Sequence, residues 1–285
     1  MSRPMTDTQT LHEWFDLSGG VRPLLIIAGP CVLETAEINR QIGHEVSQIC
    51  ADLDIPYVFK ASFDKANRSS IGSARGPGAE RGLEEIARIG RELCRPTCTD
   101  IHLPEQAALA ADHVSLLQIP AFLCRQTDLL CAAAKTGAAI NVKKGQFLGP
   151  DQMKNVISKV RSAGGKRLML TERGSFFGYD RLVNDFIGIG DLMEMGEQEG
   201  CPVCFDVTHS TQLPGDGGTH TGGRPERAPL LATAATSVGV DCLFIECHPE
   251  PSKGSSDAAT MLPLGDVRGL LTRLVRIRNA MAEPS

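Results

Sequence analysis

Three absences narrow what this sequence can be. No apolar run approaches the roughly 18 residues that a membrane-crossing helix needs. Residues 1–17 are broken by Arg3, Asp7, Glu13 and Asp16, so they hold no apolar core of a secretory signal. A soluble, cytoplasmic protein with no membrane partner is the expectation. Positive charge is not in surplus either: 29 Lys and Arg against 34 Asp and Glu give a formal net charge of -5. Binding to a phosphate backbone needs a basic face, so nucleic acid is excluded as a partner, and an anionic substrate must be drawn by local cations. A disulfide framework is also missing, because the ten cysteines are scattered through strand and helix patterns with no signal peptide ahead of them. That distribution reads as reduced, buried thiols. Cys201-Pro202-Val203-Cys204 has redox spacing, but it enters a strand rather than a helix N-terminus that would depress a thiol pKa, so it reads as structural.

What is present is a repeat of short apolar runs and amphipathic stretches. The chain has 285 residues, 42% hydrophobic and 22% charged, which suits one large domain. Strands are expected at 24–29, 57–62, 97–101, 114–119, 138–142, 167–171, 203–207 and 243–247. Helices are expected after them at 34–51, 79–94, 104–111, 125–135, 151–163, 182–198, 228–238 and 267–281. Eight βα units in this length predict an α/β fold of the closed (β/α)8 TIM-barrel type, over residues 24–285. Residues 1–23, with Trp14 and Phe15, form a short N-terminal extension that either caps the barrel or is loosely ordered.

Chemistry in such a barrel sits at the C-terminal ends of the strands. Those ends offer Cys31; Lys60; Asp100 and His102; Gln118; Lys143 and Lys144; Glu172 and Arg173; Asp206 and His209; and Glu246 and His248. The connections 63–77, 208–227 and 248–266 exceed the roughly 2–6 residues usual for βα loops and read as substrate-covering segments. Lys65, Asn67, Arg68, Ser69 and Ser70 lie in the first of them. With Lys143, Arg173 and Arg125 they bring several cations to one mouth, which suits more than one phosphate or carboxylate group. Lys and Arg often merely solvate a rim, and that reading stays open for Lys144 and Arg125. His102 and His248, also near the mouth, are taken either as supports of the site residues or as substrate contacts.

Cys31, His209, Glu246 and Asp257 fall at or beyond the ends of the first, seventh and eighth strands, which adjoin only when a barrel closes. Alone, each has an ordinary explanation as a core, loop or turn residue. Together, one thiolate, one imidazole and two carboxylates suit a divalent Fe2+, Zn2+, Mn2+ or Co2+ ion better than Ca2+ or Mg2+.

Several segments are recognisable. Ile27-Ala28-Gly29-Pro30-Cys31, the run Phe59-Lys60-Ala61-Ser62-Phe63-Asp64-Lys65-Ala66-Asn67-Arg68-Ser69-Ser70, and Gln118-Ile119-Pro120-Ala121-Phe122-Leu123 resemble the 3-deoxy-D-manno-octulosonate 8-phosphate synthase family. So do Asn141-Val142-Lys143-Lys144-Gly145-Gln146-Phe147, Thr171-Glu172-Arg173-Gly174 with Phe177-Gly178-Tyr179, Asp206-Val207-Thr208-His209-Ser210, and Glu246-Cys247-His248-Pro249-Glu250-Pro251. The resemblance implies condensation of phosphoenolpyruvate with D-arabinose 5-phosphate, releasing phosphate, for the Kdo sugar of lipopolysaccharide. It implies that Lys60, Lys143 and Arg173 hold phosphoenolpyruvate and that Asn67, Arg68 and Ser69 hold the sugar phosphate. Lys65 and Gln118 are further expected substrate contacts, and Lys60, Asp100 and His209 the expected catalytic groups. Cys rather than Asn after Ala-Gly-Pro resembles the metal-dependent branch, as do Gln212-Leu213-Pro214-Gly215 and Ser256-Asp257-Ala258. A homotetramer is also implied. One departure is that Gly72 and Ala74 precede Arg75, where the family usually has a polar residue and an aromatic.

Three rivals carry different signatures. A heptulosonate phosphate synthase would read Lys-Pro-Arg-Thr-Ser where this chain reads Lys65-Ala66-Asn67-Arg68-Ser69. A Schiff-base aldolase would use Lys60 or Lys143 as a neutral amine. A non-catalytic sensor would bind metal or sugar phosphate without turnover.

Overall fold

Every barrel strand is buried along its whole length, and its two faces meet different surroundings. The computed structural model describes residues 6–17, 22–66, 75–214 and 222–282. In chain order the elements are α1 (Thr8–Phe15), β1 (Leu25–Gly29), α2 (Ala36–Asp52), β2 (Tyr57–Lys60), α3 (Ala79–Leu93), β3 (Thr97–Asp100), α4 (Gln106–Ala111) and β4 (Leu116–Ile119). They continue with α5 (Thr127–Lys135), β5 (Ala139–Lys143), α6 (Met153–Ser162), β6 (Leu168–Glu172), and a hairpin of β7 (Ser175–Gly178) and β8 (Arg181–Val183). Then follow α7 (Phe186–Glu199), β9 (Val203–Asp206), the short pair β10 (Gln212–Leu213) and β11 (Gly222–Gly223), α8 (Ala228–Val238), β12 (Cys242–His248), β13 (Leu262–Pro263) and α9 (Leu264–Ala282).

The sheet runs β1-β2-β3-β4-β5-β6-β9-β12 in parallel and closes through β12 against β1, with Gly29 opposite Glu246. The expected closed (β/α)8 barrel is therefore the architecture. Strand alternation divides the core in two. Ile26, Phe59, Leu117, Val142, Leu170, Phe205 and Ile245 pack outward against the helices. Leu25, Ile27, Val58, Cys98, Leu116, Ala139, Met169, Cys204, Cys242 and Phe244 fill the interior. The same period, continued towards the strand ends, puts Lys60, Asp100, Gln118, Lys143, Asp206 and Glu246 on the inner face above that apolar layer. Gly29 is needed where β1 meets β2, since a Cβ there would lie 2.0 Å from the Lys60 carbonyl oxygen.

For the described part of the N-terminal extension, the structure takes the cap over loose order. Asp7 and Thr10 form a capping box at the start of α1, and Leu11, Trp14 and Phe15 join the interior cluster. Trp14 Nε1 donates to the Pro23 carbonyl at 2.9 Å, and Arg167, just before β6, pairs with Asp16 at 2.6 Å. These partners precede strands, so α1 plugs the barrel end opposite the site.

The expected helix over 182–198 needs correction. Residues 175–183 form the β7–β8 hairpin, turned by Tyr179 at φ 52° and Asp180 at φ 58°. The helix starts only at Phe186, where the Asp185 carboxylate caps the Ile187 N–H. Four other helices start two residues later than expected: α2 at Ala36, α4 at Gln106, α5 at Thr127, and α6 at Met153 after a 3-10 turn over Pro150–Gln152. No helix among the described residues is long and apolar enough to cross a membrane.

Candidate active site and metal centre

At the C-terminal mouth, Lys60 is 1% exposed and donates to the Cys31 carbonyl at 3.1 Å, Ser62 Oγ at 3.1 Å and Glu246 Oε1 at 3.0 Å. Burial and then Lys65 oppose its charge, but Glu246 and Asp100 outweigh them and hold the ammonium above its ordinary pKa. All three N–H donors are engaged, which unsuits Lys60 to act as a neutral amine nucleophile. Asp100 accepts from Ser62 Oγ and lies 3.0 Å from His102 Nε2. Burial works against its charge, while the His102 contact and Lys60 hold the carboxyl well below the usual range. An ionised Asp100 makes His102 Nε2 the donor, and Nδ1, buried without a partner, is left as an acceptor.

Lys143, 5% exposed, meets Asp206 Oδ2 at 2.5 Å and lies 3.6 Å from the Phe244 ring centroid. Arg173, 4% exposed, donates through Nη2 to Gln212 Oε1, but its Nη1 is buried with no partner. Gln118 Oε1 accepts from Asn141 Nδ2 at 3.4 Å, and Asn141 in turn accepts from Thr171. Lys65 is half-buried; burial opposes its charge, and Cys31, Glu246, Asp100 and Asp257 together hold it well above its usual value.

Cys31 Sγ donates to Asp257 Oδ2 at 3.0 Å, and donor atoms of Cys31, Glu246 and Asp257 all lie within 4.8 Å of one another. His209 Nε2 approaches Glu246 Oε2 at 3.5 Å and Asp257 Oδ2 at 3.8 Å. Glu246 Oε2 is buried with no hydrogen-bond partner. An orphaned carboxylate oxygen beside a thiol, a second carboxylate and an imidazole nitrogen is a donor set that fits a transition-metal dication. Without one, burial, then Asp257 and Glu246, push the Cys31 thiol well up, and Lys60 and His209 bring Glu246 down to about 2 against burial.

Among the described residues, Cys31, Lys60, Lys65, Asp100, Lys143, Arg173, His209, Glu246 and Asp257 share this mouth, with Gln118 beside it on β4. Asn67, Arg68 and Ser69 lie outside the described residues, as do Ser70, Gly72, Ala74 and Gly215. Of the two readings left open for Arg125, its exposed position fits the rim. Lys144 neither solvates the rim nor enters the site: it is buried, donates to the Leu148 carbonyl at 2.9 Å and Ser175 Oγ at 3.1 Å, and pairs with Glu172 at 3.4 Å. It ties the β5 and β6 ends together. His248 sits 3.6 Å from Glu34 and accepts from the Glu250 N–H at 2.9 Å. Asp206 stood among the strand-end residues without a role, and Ser62 and Phe244 were missed; an inward register on β9 and β12 was the signal for Asp206 and Phe244.

The sequence matches the model of the DAHP synthetase I family over residues 10–283. It is 50% identical over 262 residues to the 2-dehydro-3-deoxyphosphooctonate aldolase of Synechococcus sp., covering 92% of this chain and 91% of the relative. Proteins of the same name from Granulibacter bethesdensis and Desulfosudis oleivorans are 52% identical over 256 residues and 48% over 280. The first alignment covers 90% of this chain and 89% of the relative; the second covers 98% of each.

Proposed function

The chain belongs to the DAHP synthetase I family, and from that premise we infer that it condenses phosphoenolpyruvate with D-arabinose 5-phosphate and water. The products are 3-deoxy-D-manno-octulosonate 8-phosphate, the precursor of the Kdo of lipopolysaccharide, and inorganic phosphate. The observation that carries this reading is the half-identity to octonate aldolases along nine-tenths of the chain. The family description alone names a heptulosonate activity; the relatives select the longer sugar.

In this reading Lys143 and Arg173 hold the anionic groups of phosphoenolpyruvate, with the unpartnered Arg173 Nη1 as a waiting donor. Lys65, Asn67, Arg68 and Ser69 receive the sugar phosphate, and Gln118 is a neutral substrate contact. C3 of the enol then bonds to the aldehyde carbon, whose oxygen takes up a proton. Water adds at C2, and the C2–O bond breaks to release phosphate. Lys60, kept as a fully bonded cation, stabilises charge that develops on the aldehyde oxygen. Asp100 orients His102, whose free Nδ1 accepts from a substrate hydroxyl. Most of the barrier reduction comes from position and preset charge.

Cys31, His209, Glu246 and Asp257 would hold a divalent Fe2+, Zn2+, Mn2+ or Co2+ ion, which puts the chain in the metal-dependent branch. When bound, the ion supplies Lewis-acid polarisation of an oxygen. A homotetramer completes the reading; the half-exposed Phe122 and Phe147, 46% and 44% accessible on neighbouring βα loops, are apolar surface for a subunit contact.

Phosphate release from phosphoenolpyruvate with arabinose 5-phosphate, then with erythrose 4-phosphate, each with and without chelator, tests substrate and metal together. Turnover that prefers the five-carbon sugar and stops on chelation is expected. Preference for erythrose 4-phosphate overturns the substrate, and chelator-resistant turnover overturns the metal.

A further inference from the structure

Asp206 takes no part in the reaction as proposed, yet it touches both halves of the site. It ends β9 at 0% exposure, and Oδ1 accepts the His209 backbone N–H at 2.9 Å. Oδ2 lies 2.8 Å from His209 Nδ1 and 2.5 Å from Lys143 Nζ, which themselves stand 3.4 Å apart. We propose that Asp206 is a positioning residue that joins the metal centre to the phosphoenolpyruvate subsite, fixing His209 with its proton on Nδ1 and holding the Lys143 ammonium beside it. This inference rests on the metal and substrate reading above.

The geometry leaves Asp206 few other uses. Both oxygens are committed to donors, and an ionised carboxylate only accepts, so the His209 nitrogen facing it must be the one that carries hydrogen. Nε2 is then the coordinating atom, and it is the nitrogen turned to Glu246 and Asp257. A carboxylate behind a ligating histidine sets the ring's tautomer and orientation and raises its basicity. Lys143 gains its second constraint from the Phe244 face, 3.6 Å below the ammonium. Its charge is thereby set beside the His209 ring. An amide cannot replace Asp206. If its oxygen takes the place of Oδ2, its NH2 faces the His209 N–H; flipped, the NH2 faces Lys143 and Nδ1. Either way donor meets donor.

Asp206→Asn should therefore weaken two kinds of binding in a protein that is not turning over. Zinc affinity, read by competition with a chelating dye, should fall roughly 10- to 100-fold. The Kd of phosphoenolpyruvate for metal-free protein, read by calorimetry, should rise on the order of tenfold. Loss of only one of the two, or of neither, overturns the joining role. A separate measurement needs no variant: in zinc-loaded wild-type protein labelled with 15N-histidine, His209 should show a protonated Nδ1 and a metal-bound Nε2. The reverse assignment overturns the proposal even if Asp206→Asn does not fold. Wild-type protein that binds neither zinc nor phosphoenolpyruvate would instead defeat the underlying functional reading.

Discussion

Replacing Arg173 by Met removes a buried charge while keeping a long side chain, and the structure sets the size of the expected loss. The guanidinium is 4% exposed, with one arm on Gln212 and Nη1 without a partner. In the reading proposed here the incoming anion completes that Nη1. A hydrogen bond to a charged group is worth about 1.5–3 kcal/mol, which at ~1.4 kcal/mol per tenfold is roughly 10- to 150-fold in kcat/KM for phosphoenolpyruvate. Steady-state phosphate release at saturating arabinose 5-phosphate, with phosphoenolpyruvate varied, reads it directly. The KM for the sugar should move little. Arg173→Lys should fall between wild type and Arg173→Met, because a single ammonium cannot serve Gln212 and the ligand with the same fork geometry. Folded Arg173→Met with kcat/KM for phosphoenolpyruvate within twofold of wild type would refute the argument.

Metal-stripped protein should bind phosphoenolpyruvate more weakly than zinc-loaded protein as well as lose turnover; equal calorimetric affinities would count against a shared electrostatic site. Cys31→Ser should retain metal less firmly under dialysis, since the thiolate is the one soft ligand, whereas Cys31→Asn is expected to keep some chelator-resistant turnover; metal retention equal to wild type in Cys31→Ser removes the thiol from the centre. Trp14→Ala should lower unfolding stability by about 3–5 kcal/mol with kcat unchanged, because α1 plugs the barrel end away from the site; a loss of kcat at unchanged stability would contradict that placement. Glu246 is held down to about 2, burial being outweighed by Lys60 and His209, so its stabilisation of metal-free protein is present above the unfolded pKa of about 4.3 and is lost as pH falls towards 2. The urea-midpoint gap between wild type and Glu246→Gln should narrow from pH 5 to pH 3, and a constant gap would show that the carboxylate's charge is not what matters.

How far the sequence could be read followed the physics of each element. Barrel strands are short, apolar on both faces and bounded by helical periodicity, so all eight were legible, with ends wrong by one or two residues. Those small errors mattered at Lys143 and Glu172, which lie inside β5 and β6 rather than beyond them. Residues 182–185 were misread as helix because Leu182 and Val183 extend the apolar pattern of α7 backwards; the hairpin they belong to turns on Tyr179 and Asp180 at positive φ, residues that do not announce a left-handed backbone as Gly would. The convergence of Cys31, His209, Glu246 and Asp257 was legible because strands one, seven and eight must adjoin in a closed barrel. Lys144 was not. Adjacent strand residues point to opposite faces, and whether the outward lysine meets water or Glu172 depends on how the following loop folds over it.

Charge balance explains how a chain of net charge -5 can receive two phosphorylated substrates. Among the described residues, Lys60, Lys65, Lys143 and Arg173 face Asp100, Asp206, Glu246 and Asp257 across the mouth, four cations against four carboxylates. Half are committed to one another, Glu246 to Lys60 and Asp206 to Lys143, while Asp257 accepts from Cys31. An arriving anion must compete with a carboxylate for Lys60 and Lys143, and Arg173 Nη1 is a donor that it meets unpaired. A dication held by Glu246, Asp257 and the Cys31 thiolate changes that balance, because it engages carboxylate charge that otherwise answers Lys60 and Lys65. With the thiolate counted, the ion leaves the mouth one unit more positive in a buried setting where charges act strongly. Asp206, bound to His209 and Lys143, supplies no ligand to such an ion, so in the proposed reading it keeps Lys143 in place while the charges around it are redistributed. On the proposed reading the metal centre and the anion subsite therefore form one electrostatic unit built on adjoining strands, which is why perturbing either is expected to register at the other.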